Sequence, residues 1–151
     1  MLSLDTQNLS LYSIPVVWAT AFLPTMLMEN TSPKSYNNIA PRSSTPAVAT
    51  NKAFSPEVVA RIERMNGAHK NGMENLPIWV AAVLAATVAK VDVFTLNTVS
   101  IAYIFGRVVY NYIYFNQKTE AQSYMRTAVF FSTLGLPMYL LVSAAGKVAS
   151  Q

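Results

Sequence analysis

The residues able to do chemistry fall into two sets at helical spacing. Between Glu63 and Trp79 the chain reads ERMNGAHKNGMENLPIW, and positions 64, 67, 71, 74 and 78 share one helical stripe: Arg64, Gly67, Asn71, Glu74 and Ile78, with Lys70 flanking. In GRVVYNYIY the same spacing aligns Arg107, Tyr110, Asn111 and Tyr114, and Arg126 opens the next apolar stretch. A polar zwitterionic ligand suits these side chains. Its carboxylates would take Lys70, Arg107 or Arg126, its amine would take Glu74, and Asn71 would offer an amide donor and acceptor. The same groups also allow a plainer outcome, in which Glu74 pairs with Arg107 and Asn71 bonds across helices to lock the fold. His69 is more readily a surface or hydrogen-bonded residue than a general base, although its titration range keeps it an acid–base candidate beside Glu74.

Both stripes adjoin sequence suited to lipid. Of the 151 residues 52% are hydrophobic and 12% are charged, against about 25% charged in a typical soluble domain. This composition predicts an all-α integral membrane protein, a single domain over residues 1–151. A charged side chain at the bilayer centre costs about 2.5–3.5 kcal/mol even on the mild insertion scale. The polar faces must therefore meet each other, a partner chain or a polar ligand. No cysteine is present and there is one histidine, so disulfides, thiolate sites and a cysteine nucleophile are excluded and no metal centre is expected. The formal charge of +4 is spread along the chain, with no basic arm interleaved with aromatics, so no nucleic-acid partner is expected.

A spanning helix needs about 20 apolar residues, and four stretches predict helices over about 8–28, 56–90, 94–116 and 121–147. Residues 29–55, rich in Ser, Thr, Asn and Pro, have the composition of a mobile loop. Ser55-Pro56-Glu57 is a helix start, with Ser as cap and Pro at the first position. The apolar half of the second helix is too short to span alone, which draws part of its polar half into the bilayer. Short connections predict an up-down four-helix bundle. Lys34, Arg42 and Lys52 in the first loop, against Asp5 alone in the N-terminal tail, place that loop in the cytosol and both termini in the lumen. A cleaved signal peptide is disfavoured by the missing basic start. Asn8-Leu9-Ser10 is an acceptor triplet too close to the membrane to expect modification. Tyr12, Trp18, Trp79, Tyr103, Tyr112, Phe130 and Phe131 are expected as interface anchors or packing.

ERMNGAHKNGMENLPIW followed by an alanine-rich span resembles the helix-two signature of the MAPEG family, the membrane-associated proteins in eicosanoid and glutathione metabolism. GRVVYNYIY is similar to the family's helix-three pattern of an Arg followed seven residues later by a Tyr, and Arg126 falls where many members carry an Arg. The resemblance covers Glu57 to about Leu141. It implies a homotrimer in the endoplasmic reticulum membrane, binding glutathione between protomers near the cytosolic face. Lys70, Asn71 and Glu74 would hold the tripeptide's charged ends, Arg107 and Tyr114 would line the pocket, and Arg126 would stabilise the thiolate. A lipophilic substrate would enter from the bilayer. The chain departs from the pattern at four places: Gly67 stands where several eicosanoid-forming members have Arg, and Lys70 replaces the more usual Arg. In addition, Glu29 is the nearest charge where helix one of characterised synthases ends in Arg, and Phe130 stands where some members have Tyr. The expectation is a glutathione-dependent transferase or isomerase acting on a lipophilic electrophile. Two alternatives remain, a glutathione-independent isomerase or cyclase using Glu74, His69 or a Tyr, and a non-enzymatic lipid-binding scaffold.

Overall fold

The protein is described by a computed structural model, which places residues 4–31, 37, 39–43, 47, 48 and 50–150. Lys34 and parts of the expected 29–55 loop lie outside the described residues. The elements are all helical: a 3-10 turn over Ser10–Tyr12, α1 (Ser13–Thr31), a second 3-10 turn over Pro41–Ser43, α2 (Pro56–Val88), α3 (Val93–Asn116) and α4 (Glu120–Ala149). Among the described residues, three segments are long and apolar enough to cross a membrane: Ser10–Thr31, Val93–Asn116 and Glu120–Ala149. α2 is not among them, in keeping with its short apolar half. Its 33 residues nevertheless extend about 50 Å at 1.5 Å per residue, well beyond a hydrocarbon core of about 30 Å.

The ends of the helices follow from local chemistry. Ser55 caps α2 by accepting from the Val58 N–H, and Pro56, which lacks an N–H, occupies the first turn where none is needed. α2 stops at Val88, two residues short of the expected end, because Lys90 adopts a left-handed φ of 55°. That turn lets Val91 N–H reach the Ala86 carbonyl and Lys90 N–H reach Thr87, satisfying two orphan carbonyls in a Schellman arrangement. Asp92 follows at once as the cap of α3, accepting from the Thr95 N–H at 2.9 Å. Thr119 and Gln122 form a reciprocal capping box at the start of α4.

Two apolar clusters hold the helices together. One surrounds Trp79, whose ring stacks on Tyr103 with centroids 4.0 Å apart and planes 6° from parallel, among Val17, Ala82, Val83, Ala86, Leu96, Leu140 and Ala144. The Trp79 indole N–H donates to Ser13 Oγ at 3.1 Å, so its one polar atom is satisfied inside the core. The other cluster joins Met28, Val48, Ile62, Met65, Ala68 and Phe115. Trp79 and Tyr103 are thus packing residues, whereas Tyr12, Trp18, Tyr112 and Phe131 are exposed on the protomer.

Asn97 fastens the chain near the Trp79 end. Its amide donates to the carbonyls of Leu4 and Gln7, both at 2.8 Å, and its oxygen accepts from the Leu9 N–H at 2.9 Å. Around the Met28 cluster, Arg64 Nε donates to the Phe115 carbonyl, and the exposed Lys118 and Glu57 side chains form an ion pair. The polar residues at issue lie between the two clusters.

Candidate functional site

The site starts from a proline. Pro24 is buried inside α1, and because it has no N–H it cannot bond the carbonyl four residues back, that of Thr20. Asn111 takes that carbonyl instead, its Nδ2 donating at 2.8 Å. The next carbonyl, of Ala21, contacts His69 Nδ1 at 2.9 Å. α1 can come this near α2 because position 72 is glycine: a Cβ there would lie 2.7 Å from Ala21 Cβ and 2.9 Å from Ala21 Cα. An exposed backbone group in a lipid-facing helix is tolerated only when a neighbour satisfies it; α3 supplies that neighbour for the Thr20 carbonyl, and the α2 histidine adds a contact at the next one.

Beside Asn111 on α3 lies Arg107, only 3% exposed. Its Nη1 donates to Asn71 Oδ1 at 3.0 Å, and its guanidinium lies over the Tyr110 ring at 4.8 Å. No carboxylate meets it among the described residues. Its Nη2 is buried without a hydrogen-bond partner, as is Asn111 Oδ1. Asn71 is itself braced, since its carbonyl accepts from the Asn75 side chain at 2.8 Å. A buried cation with a free donor is costly unless something else supplies the acceptor.

From Arg107 an aromatic series leads to the last cation. Tyr110 meets Tyr114 edge to face at 5.5 Å and Phe130 at 6.0 Å. The Arg126 guanidinium lies 4.5 Å from the centre of the Tyr114 ring, and its Nη2 donates to Ser123 Oγ at 3.3 Å. Gly67 faces the tip of the same tyrosine: a Cβ at 67 would lie 2.6 Å from the Tyr114 hydroxyl oxygen. Phe130 is thus an apolar wall of this series, with no hydroxyl to add.

The stripes therefore meet, at Asn71 on Arg107 and Gly67 against Tyr114, but the rest of the α2 stripe is only partly enclosed. Glu74 and Lys70 are exposed on the protomer. Glu74 does not pair with Arg107. His69 turns toward α1, where Phe22 also meets its ring edge to face at 6.4 Å, away from the series that carries Arg126. The face of α2 that is buried runs through Ile62, Met65, Ala68, Gly72, Asn75 and Trp79, beside the expected stripe. Sequence reasoning did not single out Asn75, Asn97 or Gly72 as structural groups. A run of small residues at Ala68 and Gly72 is the signal that marks α1's contact face.

Bound together, these groups make a polar layer crossing the helices, with two exposed charges of opposite sign on α2 and two cations on α3 and α4. No curated protein and no solved structure matches the chain at a significant level. The model of the MAPEG family matches residues 13–146, the span from the first turn of α1 to the last turns of α4, and the chain belongs to the MAPEG family.

Proposed function

We propose that this protein is a membrane-embedded, glutathione-dependent transferase or isomerase acting on a lipophilic electrophile. Members of the family commonly use glutathione. The observation that carries the reading is Arg107: a guanidinium enclosed by helices, held by an amide instead of a carboxylate, with Nη2 unsatisfied. An anionic ligand group would supply the missing acceptor. The chain's residues fit the tripeptide's charge pattern, with Lys70, Arg107 and Arg126 for its carboxylates and thiolate, Glu74 for its amine and Asn71 and Tyr114 along the wall.

Glutathione, when bound, supplies a sulfur nucleophile. Arg126 would hold that sulfur in its anionic form, because a nearby cation lowers a thiol titration that otherwise lies near 8.5. Arg107 and Asn71 would fix the peptide's position, so that the reacting atoms meet as in an intramolecular step. The exposed apolar surfaces of α3 and α4 leave a lipophilic substrate free to approach from the bilayer.

The assembly in this reading is the homotrimer that family resemblance implies; the exposure of Lys70 and Glu74 on a membrane helix supports a neighbouring protomer covering these charges. Lys52, Arg61, Arg64 and Lys118 lie at the start of α2 and the end of α3, with Arg42 in the segment that leads into α2, against Lys90 and Lys147 at the opposite ends. That asymmetry supports an up-down bundle with this end cytosolic and the termini lumenal, in the endoplasmic reticulum. The glutathione-independent alternative needs His69 or Glu74 as acid or base; His69 is engaged with the Ala21 carbonyl and Glu74 stands apart from it, which weighs against that chemistry.

The test is conversion of a lipophilic aryl chloride, activated toward substitution, by purified protein in liposomes. Thioether formation with release of chloride should require glutathione and fall to background in Arg126→Ala. Equal turnover without the thiol would overturn the reading.

A further inference from the structure

We infer that Gly67 is a positioning residue for Arg126, acting through the Tyr114 ring; the inference rests on the function proposed above. Three contacts carry it. The space above Gly67 is taken by the Tyr114 phenol, so that any Cβ at 67 would meet the hydroxyl oxygen at 2.6 Å and Cζ at 3.1 Å. The ring so placed is the surface over which the Arg126 guanidinium lies at 4.5 Å. The ring also meets Tyr110 edge to face at 5.5 Å, and Tyr110 in turn lies under Arg107.

Position 67 therefore sets how far the tyrosine leans toward α2, and the tyrosine sets where the α4 cation rests. A larger residue at 67 cannot coexist with this arrangement, because 2.6 Å is well inside contact distance and the ring must tilt away. Cation–aromatic contacts are directional, so a tilted ring no longer holds Arg126 in the same place. Arg126 has one further anchor, a 3.3 Å bond from Nη2 to the Ser123 hydroxyl on its own helix, which does not fix its reach toward α2 and α3. The absence of a side chain at 67 thus opens the space that the Tyr114 phenol occupies, and with it the platform for the thiolate-holding arginine.

A double-mutant cycle between G67A and Y114F tests this, because Phe keeps the ring and removes the oxygen at 2.6 Å, leaving Cζ at 3.1 Å, a contact that a shift of a few tenths of an ångström relieves. The first readout needs no ligand. In protein labelled with 15N-arginine, the Arg126 Nε–H signal, assigned by its loss in R126K, should lie at a ring-shifted position in wild type and Y114F. It should move toward the exposed arginines in G67A and return in G67A/Y114F. The second readout is glutathione affinity with the pH midpoint of bound thiolate absorbance. G67A should weaken binding about tenfold, the size of losing one oriented charge contact, and raise the midpoint toward that of free thiol. In the Y114F background the same change should cost less than about threefold.

The two failures are separable. If wild type binds no glutathione, the proposed function fails, while the Arg126 signal still decides the positioning claim. If wild type binds and R126A abolishes the thiolate shift, but G67A moves neither the Arg126 signal nor the midpoint, the positioning claim is overturned. It is equally overturned if Y114F fails to rescue G67A.

Discussion

Replacing Asn111 by Leu keeps the branched shape of the side chain, with a somewhat larger volume, but withdraws the donor that satisfies the Thr20 carbonyl at 2.8 Å. That carbonyl has no helical partner, because the residue four positions on is Pro24. Hydrogen bonds between membrane helices contribute about 0.6 kcal/mol on average and up to about 1.7 kcal/mol. A buried group left bare costs about 1–3 kcal/mol, so N111L should lose about 1.5–2 kcal/mol. At about 2–4 °C per kcal/mol for a chain of this size, the thermal midpoint in detergent should fall by about 3–8 °C. Restoring the α1 N–H by P24A should be nearly neutral in wild type, where Asn111 already serves the carbonyl. In the N111L background it should recover about 1 kcal/mol. Thermal unfolding of the four proteins measures that coupling directly. Effects additive to within about 0.5 kcal/mol would refute the idea that α3 completes a hydrogen bond that proline removes from α1.

Three further outcomes follow from the same structure. Gly72→Val should destabilise by about 1–3 kcal/mol, seen as a lowered thermal midpoint, since its Cβ would press on the Ala21 backbone. Arg107→Met should change the midpoint little, as removing a buried unpaired charge in favour of packing is often neutral or stabilising; calorimetry should nevertheless show glutathione affinity down by at least about tenfold, one lost charge-assisted contact. The Glu57 carboxyl is held below its ordinary value by the hydrogen bond and charge of Lys118, and the Asp92 carboxyl by hydrogen bonds from Thr95. Groups whose folded titration is depressed stabilise the fold above their unfolded values, 4.5 and 3.8, and lose that contribution as pH falls through the folded ones. Melting curves from pH 6 downward should therefore slope less steeply on the acid side in E57Q and D92N than in wild type.

Much of the helical plan was legible because its signals are local. Ser55-Pro56-Glu57 marks the start of α2, and Asp92 is the cap where the turn was expected. The end of α2 was placed two residues late because a lysine, with no glycine signal, takes the left-handed position at 90. α1 runs on to Thr31, past the last apolar residue, since a helix need not stop where hydrophobicity does. The α3 stripe faces inward along most of its length: Arg107, Tyr110 and Asn111 are buried, and Tyr114 is half-buried. On α2 the stripe lies beside the buried face, because Ala68 and Gly72 admit α1 on one side while Asn71 reaches Arg107 from its edge. Glu74 falls farther round and stays outside. Asn97 was invisible for a different reason: its partners lie 88 to 93 positions away, and a lone amide in an apolar run carries no spacing to reveal them. Pro24 was visible as a break in α1, but which residues would satisfy its freed carbonyl depended on helix packing that no local pattern encodes.

The most direct measurement is glutathione binding by titration calorimetry on the purified, detergent-solubilised protein, with R126A and E74Q alongside. Saturable binding in wild type, weakened about tenfold or more in each variant as expected for loss of a charge-assisted contact, is the predicted result. A folded wild-type protein that binds no glutathione, or variants that bind as tightly as wild type, would contradict the proposed site.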